Sequence, residues 1–295
     1  MSVEFIGFIT NNNASETIVR SGPVLDPPYL ETVAKAHELA GFDRALLAFH
    51  STTPDALQVA QHVLGITRTL KVMIAQRPGF TAPTLLARQL ATLDQFYPDR
   101  VSLHVITGGN ATELRQDGNT LDDKDERYAR TSEFLDIVRL EWTSEKPFDY
   151  RGKYYQVERG FSQVKPHQKG GIYTFVGGGS DAAVEVASKH ADTFALWGES
   201  YAQVRDVTAR VRAAAAKHGR RRRASASRCG RSSPTPRRRR GPRRSRSSSA
   251  PPNYRTRPAT ASLRTVMPPR ARSGCLRLPI KARVSTSGFG PRLPS

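Results

Sequence analysis

Val101-Ser102-Leu103-His104-Val105-Ile106-Thr107-Gly108 is an apolar run of strand length that closes on polar residues and a glycine. Apolar runs of this kind belong to strands buried on both faces, as in parallel sheets covered by helices. Three further runs end the same way: Ala45–His50 into Ser51-Thr52, Leu70–Gln76 into Arg77, and Thr193–Trp197 into Gly198-Glu199. Polar side chains therefore gather at the C-terminal ends of four different strands.

Helical patterns fill the intervals. Phe5–Thr10 is a first strand, and Pro28–Ala40 carries a helix that Gly41 ends. Thr53 is expected to cap a helix with Pro54 at its first position. Another helix starts near Thr81-Ala82-Pro83 and buries Leu86, Leu90 and Leu93 at helical spacing. A polar loop follows the strand at 101–107, and then a long helix from about Asp123 to Trp142. Ile172–Val176 and Thr193–Trp197 are the fifth and sixth strands, with helices from Ser180 and Tyr201. Six βα units in a row imply a parallel sheet. An open doubly wound sheet concentrates ligands at one switch point, whereas a closed barrel gathers them in its βα loops. The polar strand ends favour the TIM-type (β/α)8 barrel. Lys146–Val157, with a turn at Arg151-Gly152, reads as a β-hairpin inserted near 146–165, its aromatic residues assigned to packing.

Charge divides the chain at Arg220. Residues 1–219 hold 24 Lys+Arg against 26 Asp+Glu, a net of −2, while 220–295 hold 22 Lys+Arg and no acid, a net of +22. The 220–295 segment also has both cysteines and only two aromatic residues, Tyr254 and Phe289. It cannot bury enough apolar surface to offset backbone ordering of roughly 1–2 kcal/mol per residue, so disorder is expected. Three origins are open: a basic nucleic-acid arm built on Arg220–Arg223 and Arg237–Arg240, a solvated linker, or GC-rich coding DNA read out of frame, which the abrupt loss of acids favours. The body, 1–219, has ordinary composition and no cysteine, which removes disulfides and cysteine-held metals from its chemistry. An acid near the start, at Glu4, and the lack of any apolar stretch near ~20 residues point to a cytoplasmic protein away from membranes.

Two stretches carry candidate chemistry. Ile172 through Val176 runs into Gly177-Gly178-Gly179-Ser180-Asp181, a strand ending in three glycines at a helix start. Free N–H groups and the helix dipole there suit a phosphate; a tight turn with Ser180 as a plain N-cap is the other reading. The second stretch runs from His104 through Thr107 and Glu113 to Asp122-Asp123-Lys124-Asp125-Glu126-Arg127-Tyr128. A buried His104 needs a polar partner, and a lone buried histidine is usually structural. The acidic cluster crowds a helix start, where carboxylates are favoured by the dipole, so it reads as a cap rather than a metal site. Arg127 and Tyr128 lie one turn inside, within reach of a ligand over the barrel mouth.

With these residues in place, the body resembles the bacterial luciferase-like flavin-dependent monooxygenases, most closely the alkanesulfonate monooxygenase branch. The matching segments are Ala75–Gly79 with Thr81–Thr84, Ala87–Asp94, Val105–Gly108, Asp125–Tyr128, Tyr150–Tyr155, the Gly177–Ser180 turn and Trp197–Glu199. The resemblance covers about residues 1–220. It implies a (β/α)8 barrel that takes reduced FMN (FMNH2) from an NAD(P)H-dependent flavin reductase. With O2, such an enzyme oxidises an alkanesulfonate to an aldehyde and sulfite. By the same resemblance, Gly178, Gly179 and Ser180 hold the FMN phosphate, and Arg127 and Tyr128 reach the phosphate and ribityl side. His104, Thr107 and Glu113 line the flavin, and His50 is the acid/base group. The resemblance also implies a homo-oligomer. The branch expects a cysteine near Thr53, and this chain has none there.

The family continues into seventh and eighth βα units where this chain turns to Arg, Ser and Pro. The expectation is that the first and sixth strands are left as open edges and that this chain folds poorly and is inactive. Two rivals are an F420-dependent reductase or dehydrogenase of the same fold and nucleic-acid binding through the tail, the latter ranked low for want of base-reading aromatics.

Overall fold

The computed structural model describes residues 3–15, 17–196 and 198–218, and the backbone of residues 225–228. The elements follow in order: β1 (Ile6–Ile9), α1 (Pro27–Leu39), β2 (Arg44–Leu47), α2 (Ala56–Ile66), β3 (Lys71–Gln76), α3 (Pro83–Phe96) and β4 (Val101–Val105). Then come α4 (Ala111–Gln116), α5 (Lys124–Thr143), the hairpin β5 (Phe148–Arg151) and β6 (Gln156–Gly160), β7 (Tyr173–Gly177), α6 (Asp181–His190), β8 (Thr193–Leu196), α7 (Tyr201–Lys217) and β9 (Ser225–Arg228). Seven of the strands form one sheet in the order β1-β2-β3-β4-β7-β8-β9, every pair parallel.

The two faces of the sheet divide the side chains with a period of two. Ala45, Leu47, Val72, Ile74, Leu103, Val105, Val176, Phe194 and Leu196 share one core with Leu30, Val63, Leu64, Leu90, Phe134 and Val138 of the helices. Leu64, Leu90, Leu103 and Phe134 are essentially solvent-free, and each such side chain stabilises the fold by roughly 1.5–3 kcal/mol. The opposite face is inward. There Arg44, buried on β2, donates from Nη1 to Ser102 Oγ on β4 at 2.7 Å, and its guanidinium lies over the Tyr173 and Phe175 rings of β7, 5.7 and 5.3 Å from their centroids. β2 and β7 are three strand spacings apart, roughly 14 Å in a flat sheet, so these contacts suit a sheet curled about its inner face.

β4 and β7 are neighbours although the hairpin separates them in sequence. Buried Asp94 of α3 accepts from Gln168 N at 2.9 Å and Gln168 Nε2 at 2.8 Å. Gln168 in turn donates to Val101 O and accepts from Tyr173 N, joining the starts of the two strands. The hairpin hangs on α5, where Glu133 accepts from the N–H groups of Lys153, Tyr154 and Tyr155, and the Tyr155 ring packs on Phe134.

Three expectations change. The cap of α2 is Asp55, whose carboxylate accepts from Leu57 N and Gln58 N at 3.0 and 2.9 Å; Thr53 instead bonds back to His50 O. The polar loop after β4 contains α4, capped by Asn110 and too short to show helical periodicity. The sixth strand, β8, is not an edge: β9 pairs with it from Thr193↔Ser225 to Leu196↔Arg228, inside the segment separated from the body by composition. Among the described residues, β1 pairs only with β2 and β9 only with β8, so the curled sheet is not closed into a barrel. The expectations for the rest of 220–295, disorder and nucleic-acid binding included, lie outside the described residues.

Candidate functional site

The C-terminal ends of β2, β3 and β4 converge on one carboxylate. Asn110 caps α4 by accepting from Thr112 N and Glu113 N, which sets Glu113 on the first turn facing the β2 loop. Its Oε1 accepts from His50 Nδ1 at 3.1 Å and from Ser51 N at 3.0 Å, and its Oε2 accepts from Arg77 Nη2 at 2.9 Å. Ser51 Oγ bonds Glu113 O and Asp117 Oδ2 at 2.9 and 2.6 Å. Buried Arg77 also donates to Phe49 O and stacks 5.3 Å over the Phe49 ring. Burial works against the Glu113 charge, but the bonds from Arg77 and Ser51 outweigh it and hold the carboxyl below the ordinary carboxylate range. The His50 side chain is 56% exposed.

A second group lies on β4 and β7. His104 faces inward, paired in register with Phe175, whose ring meets it edge-on at 6.5 Å. Its Nδ1 is buried with no hydrogen-bond partner among the described residues. Burial pulls its pKa down to about 4, so the imidazole is neutral at pH 7. Beside it, Tyr128 Oη donates to Gly177 O at 3.3 Å. Gly178 has φ +146°, and a Cβ there would collide with Tyr128 Oη and stand 2.6 Å from Ala183 Cβ. At Gly179 a Cβ would meet nothing within 4 Å. Ser180 is the N-cap of α6, accepting from Ala183 N at 3.3 Å. The strand end thus becomes a side-chain-free shelf at a helix start, open on the Gly179 side.

Of the residues singled out from sequence, His50 and Glu113 meet directly, and His104, Tyr128, Gly178, Gly179 and Ser180 cluster at the β7 turn. Thr107 is half-buried on the loop after β4. Arg127 is spent on the loop: Nη1 donates to Leu121 O and Asp122 O at 3.2 and 2.5 Å, Nη2 to Gly108 O at 3.4 Å, and its buried Nε has no partner among the described residues. Sequence reasoning missed Arg77 and Ser51 as members of the site, although both were visible as polar residues at strand ends. It also missed Asp117, which carried no signal. A cleft of about 490 Å³ lies at the other end of the strands, lined by Asp99, Arg139, Gln168 to Tyr173 and Asp192. Among the described residues, no cluster of His, Asp and Glu is arranged to hold a metal, and no helix is long and apolar enough to cross a membrane.

A family model for luciferase-like monooxygenases matches residues 3–237. The chain belongs to this family. Among solved structures, this luciferase-like chain is similar to an EDTA monooxygenase from Chelativorans sp. BNC1, at 20% identity and TM-score 0.66, over 74% of this chain and 61% of that one. It is similar to a riboflavin lyase solved with modified FMN and riboflavin, at 18% identity and TM-score 0.67, over 77% and 62%. It is also similar to an F420-dependent secondary alcohol dehydrogenase, at 20% identity and TM-score 0.64, over 75% and 66%. At such identities the likeness is one of fold. The chain spans about three fifths of the length of the first two.

Proposed function

We propose that this luciferase-like chain carries, at the mouth of its curled sheet, the reduced-FMN site of an O2-dependent monooxygenase, with turnover requiring the seventh and eighth βα units that the segment after Arg220 replaces. The substrate would be an alkanesulfonate or related organosulfur compound, the products an aldehyde and sulfite, and the flavin would come from a separate NAD(P)H-dependent reductase. The observation that carries the reading is the glycine shelf at Gly178 and Gly179 before the start of α6, with the His104 ring, whose buried Nδ1 has no partner among the described residues, packed beside the preceding Gly177. A buried polar atom without a partner is costly, and a ligand acceptor or donor would satisfy it. The residues fit a flavin phosphate: the shelf admits close approach, the start of α6 is electropositive, and Ser180 Oγ keeps a proton to donate.

Bound flavin would supply the electrons that activate oxygen. The chain's own residues do the rest. Gly178, Gly179 and Ser180 hold the phosphate, Tyr128 keeps the Gly177 turn in place, and neutral His104 offers a hydrogen bond without a charge. His50 holds or moves a proton at Nε2. Arg127 orders the loop that carries Thr107 and Glu113. The homo-oligomer and sulfonate preference rest on motif resemblance alone. The F420-linked dehydrogenase among the fold neighbours keeps a hydride-transfer reading in play, and the absorbance spectrum of a copurified cofactor separates the two.

The test is a fluorescence titration with FMNH2 of the chain as given, beside a version read in the alternative frame after Arg220, with sulfite release measured in both. Binding through the described shelf predicts that Gly179→Trp, which fills the open side, abolishes flavin affinity in whichever version binds. Undiminished affinity in that variant would sink the placement of the phosphate.

A further inference from the structure

We propose that Glu113 is a positioning residue for His50: braced by Arg77, it fixes the imidazole as its Nδ1–H tautomer and presents Nε2, as a bare acceptor, to the mouth of the sheet. The function assigned to His50 rests on the reading above; the tautomer does not.

The argument is one of donors and acceptors. An ionised carboxylate only accepts, so the 3.1 Å contact between His50 Nδ1 and Glu113 Oε1 requires the proton on Nδ1. The bond made by one ring nitrogen sets the state of the other, which leaves the Nε2 lone pair free. Glu113 is kept ionised and in place from three sides. Arg77 Nη2 claims Oε2, the backbone N–H of Ser51 shares Oε1, and Asn110 caps the helix turn that carries the residue. Arg77 cannot swing away, because it is buried, bonded to Phe49 O and stacked on the Phe49 ring. The other charged group beside the pair, Asp117, is taken up by Ser51 Oγ.

The His50 backbone is pinned as well. Its N–H donates to Thr53 Oγ1 at 3.3 Å, and its carbonyl accepts from Thr53 N and Oγ1, both at 3.1 Å. An exposed histidine on a loop would otherwise turn freely and favour neither orientation. Here β2, β3 and β4 each contribute one loop to aiming a single nitrogen, and a group acting on bound substrate needs such aim.

Nitrogen-15 NMR of the flavin-free chain, labelled at its histidine rings, reads the tautomer directly; a His50→Asn sample assigns the signals. The expected spectrum at alkaline pH, where the ring carries a single proton, has a protonated-type Nδ1 and an unprotonated-type Nε2 for His50. In Glu113→Ala the two types exchange, while the other six histidines keep their shifts and so report an intact fold. A wild-type spectrum with the proton on Nε2 overturns the proposal whatever the variant does. So does a folded Glu113→Ala variant in which the His50 shifts stay put. Loss of flavin binding with the tautomer as expected would count against the proposed function and leave this inference standing.

Discussion

Replacing Gly178 by alanine tests whether the shelf at the β7 turn is as tight as it looks. At φ +146° an L side chain is strained, by about 1–3 kcal/mol for such sparsely populated backbone. The added Cβ would also collide with Tyr128 Oη and stand 2.6 Å from Ala183 Cβ, overpacking of the kind that costs about 1–3 kcal/mol. The expected loss is therefore roughly 2–6 kcal/mol in urea unfolding, read as a lower midpoint at an unchanged slope. Tyr128→Phe alone gives up one hydrogen bond to Gly177 O, about 0.5–1.5 kcal/mol. Combined with Gly178→Ala it removes the nearest obstruction, so the double variant should lose at least about 1 kcal/mol less than the two single losses added together. A Gly178→Ala protein within about 0.5 kcal/mol of wild type, or strict additivity in the cycle, would refute the reasoning.

Further outcomes follow from other residues. Burial works against the charge of Glu38, but bonds from the N–H groups of Thr69, Leu70 and Arg68 outweigh it and hold its carboxyl at about 2. A depressed carboxyl stabilises above its unfolded value near 4.5, and this is lost as pH falls toward 2. Full conversion would be roughly 3 kcal/mol; with the group partly in water, about 1–2 kcal/mol is expected. The stability gap between wild type and Glu38→Gln should therefore narrow between pH 5 and 3, and a gap constant with pH contradicts the assignment. His104, with its pKa near 4, must take up a proton on unfolding between about pH 6.5 and 4. Wild-type stability should fall over that window by up to ~1.4 kcal/mol per pH unit, and His104→Leu should remove this dependence. The same variant should stay within about 1 kcal/mol of wild type at pH 7, since it exchanges an unpartnered polar atom for an apolar one, and should lose flavin affinity about tenfold. Undiminished affinity would exclude His104 from the site.

Most of the layout was legible along the chain. Apolar runs such as Val101–Thr107 and Leu70–Gln76 mark β4 and β3, and the Leu86, Leu90, Leu93 spacing marks α3, because strand and helix periods are local properties of the backbone. The polar strand ends at His50 and Arg77 lie at the end of the sheet where Glu113 gathers its partners. The helix α4 escaped because six residues do not complete two turns, and the strand at 225–228 escaped because composition argued against it. Position along the chain says nothing about which oxygen of Glu113 faces which partner, so the meeting of His50, Ser51, Arg77 and Glu113 could not be read there.

The division has a physical basis. Sequence by itself determined the alternation of strands and helices, the change of character at Arg220 and the glycines at 177–179, all of which depend on neighbours within a few residues. Only the tertiary structure decided that Arg44 lies over the rings of β7, that His104 Nδ1 finds no partner among the described residues, and that one carboxylate ties three loops together. Those outcomes depend on how far the sheet curls, and curvature is set by the packing of side chains far apart in the chain.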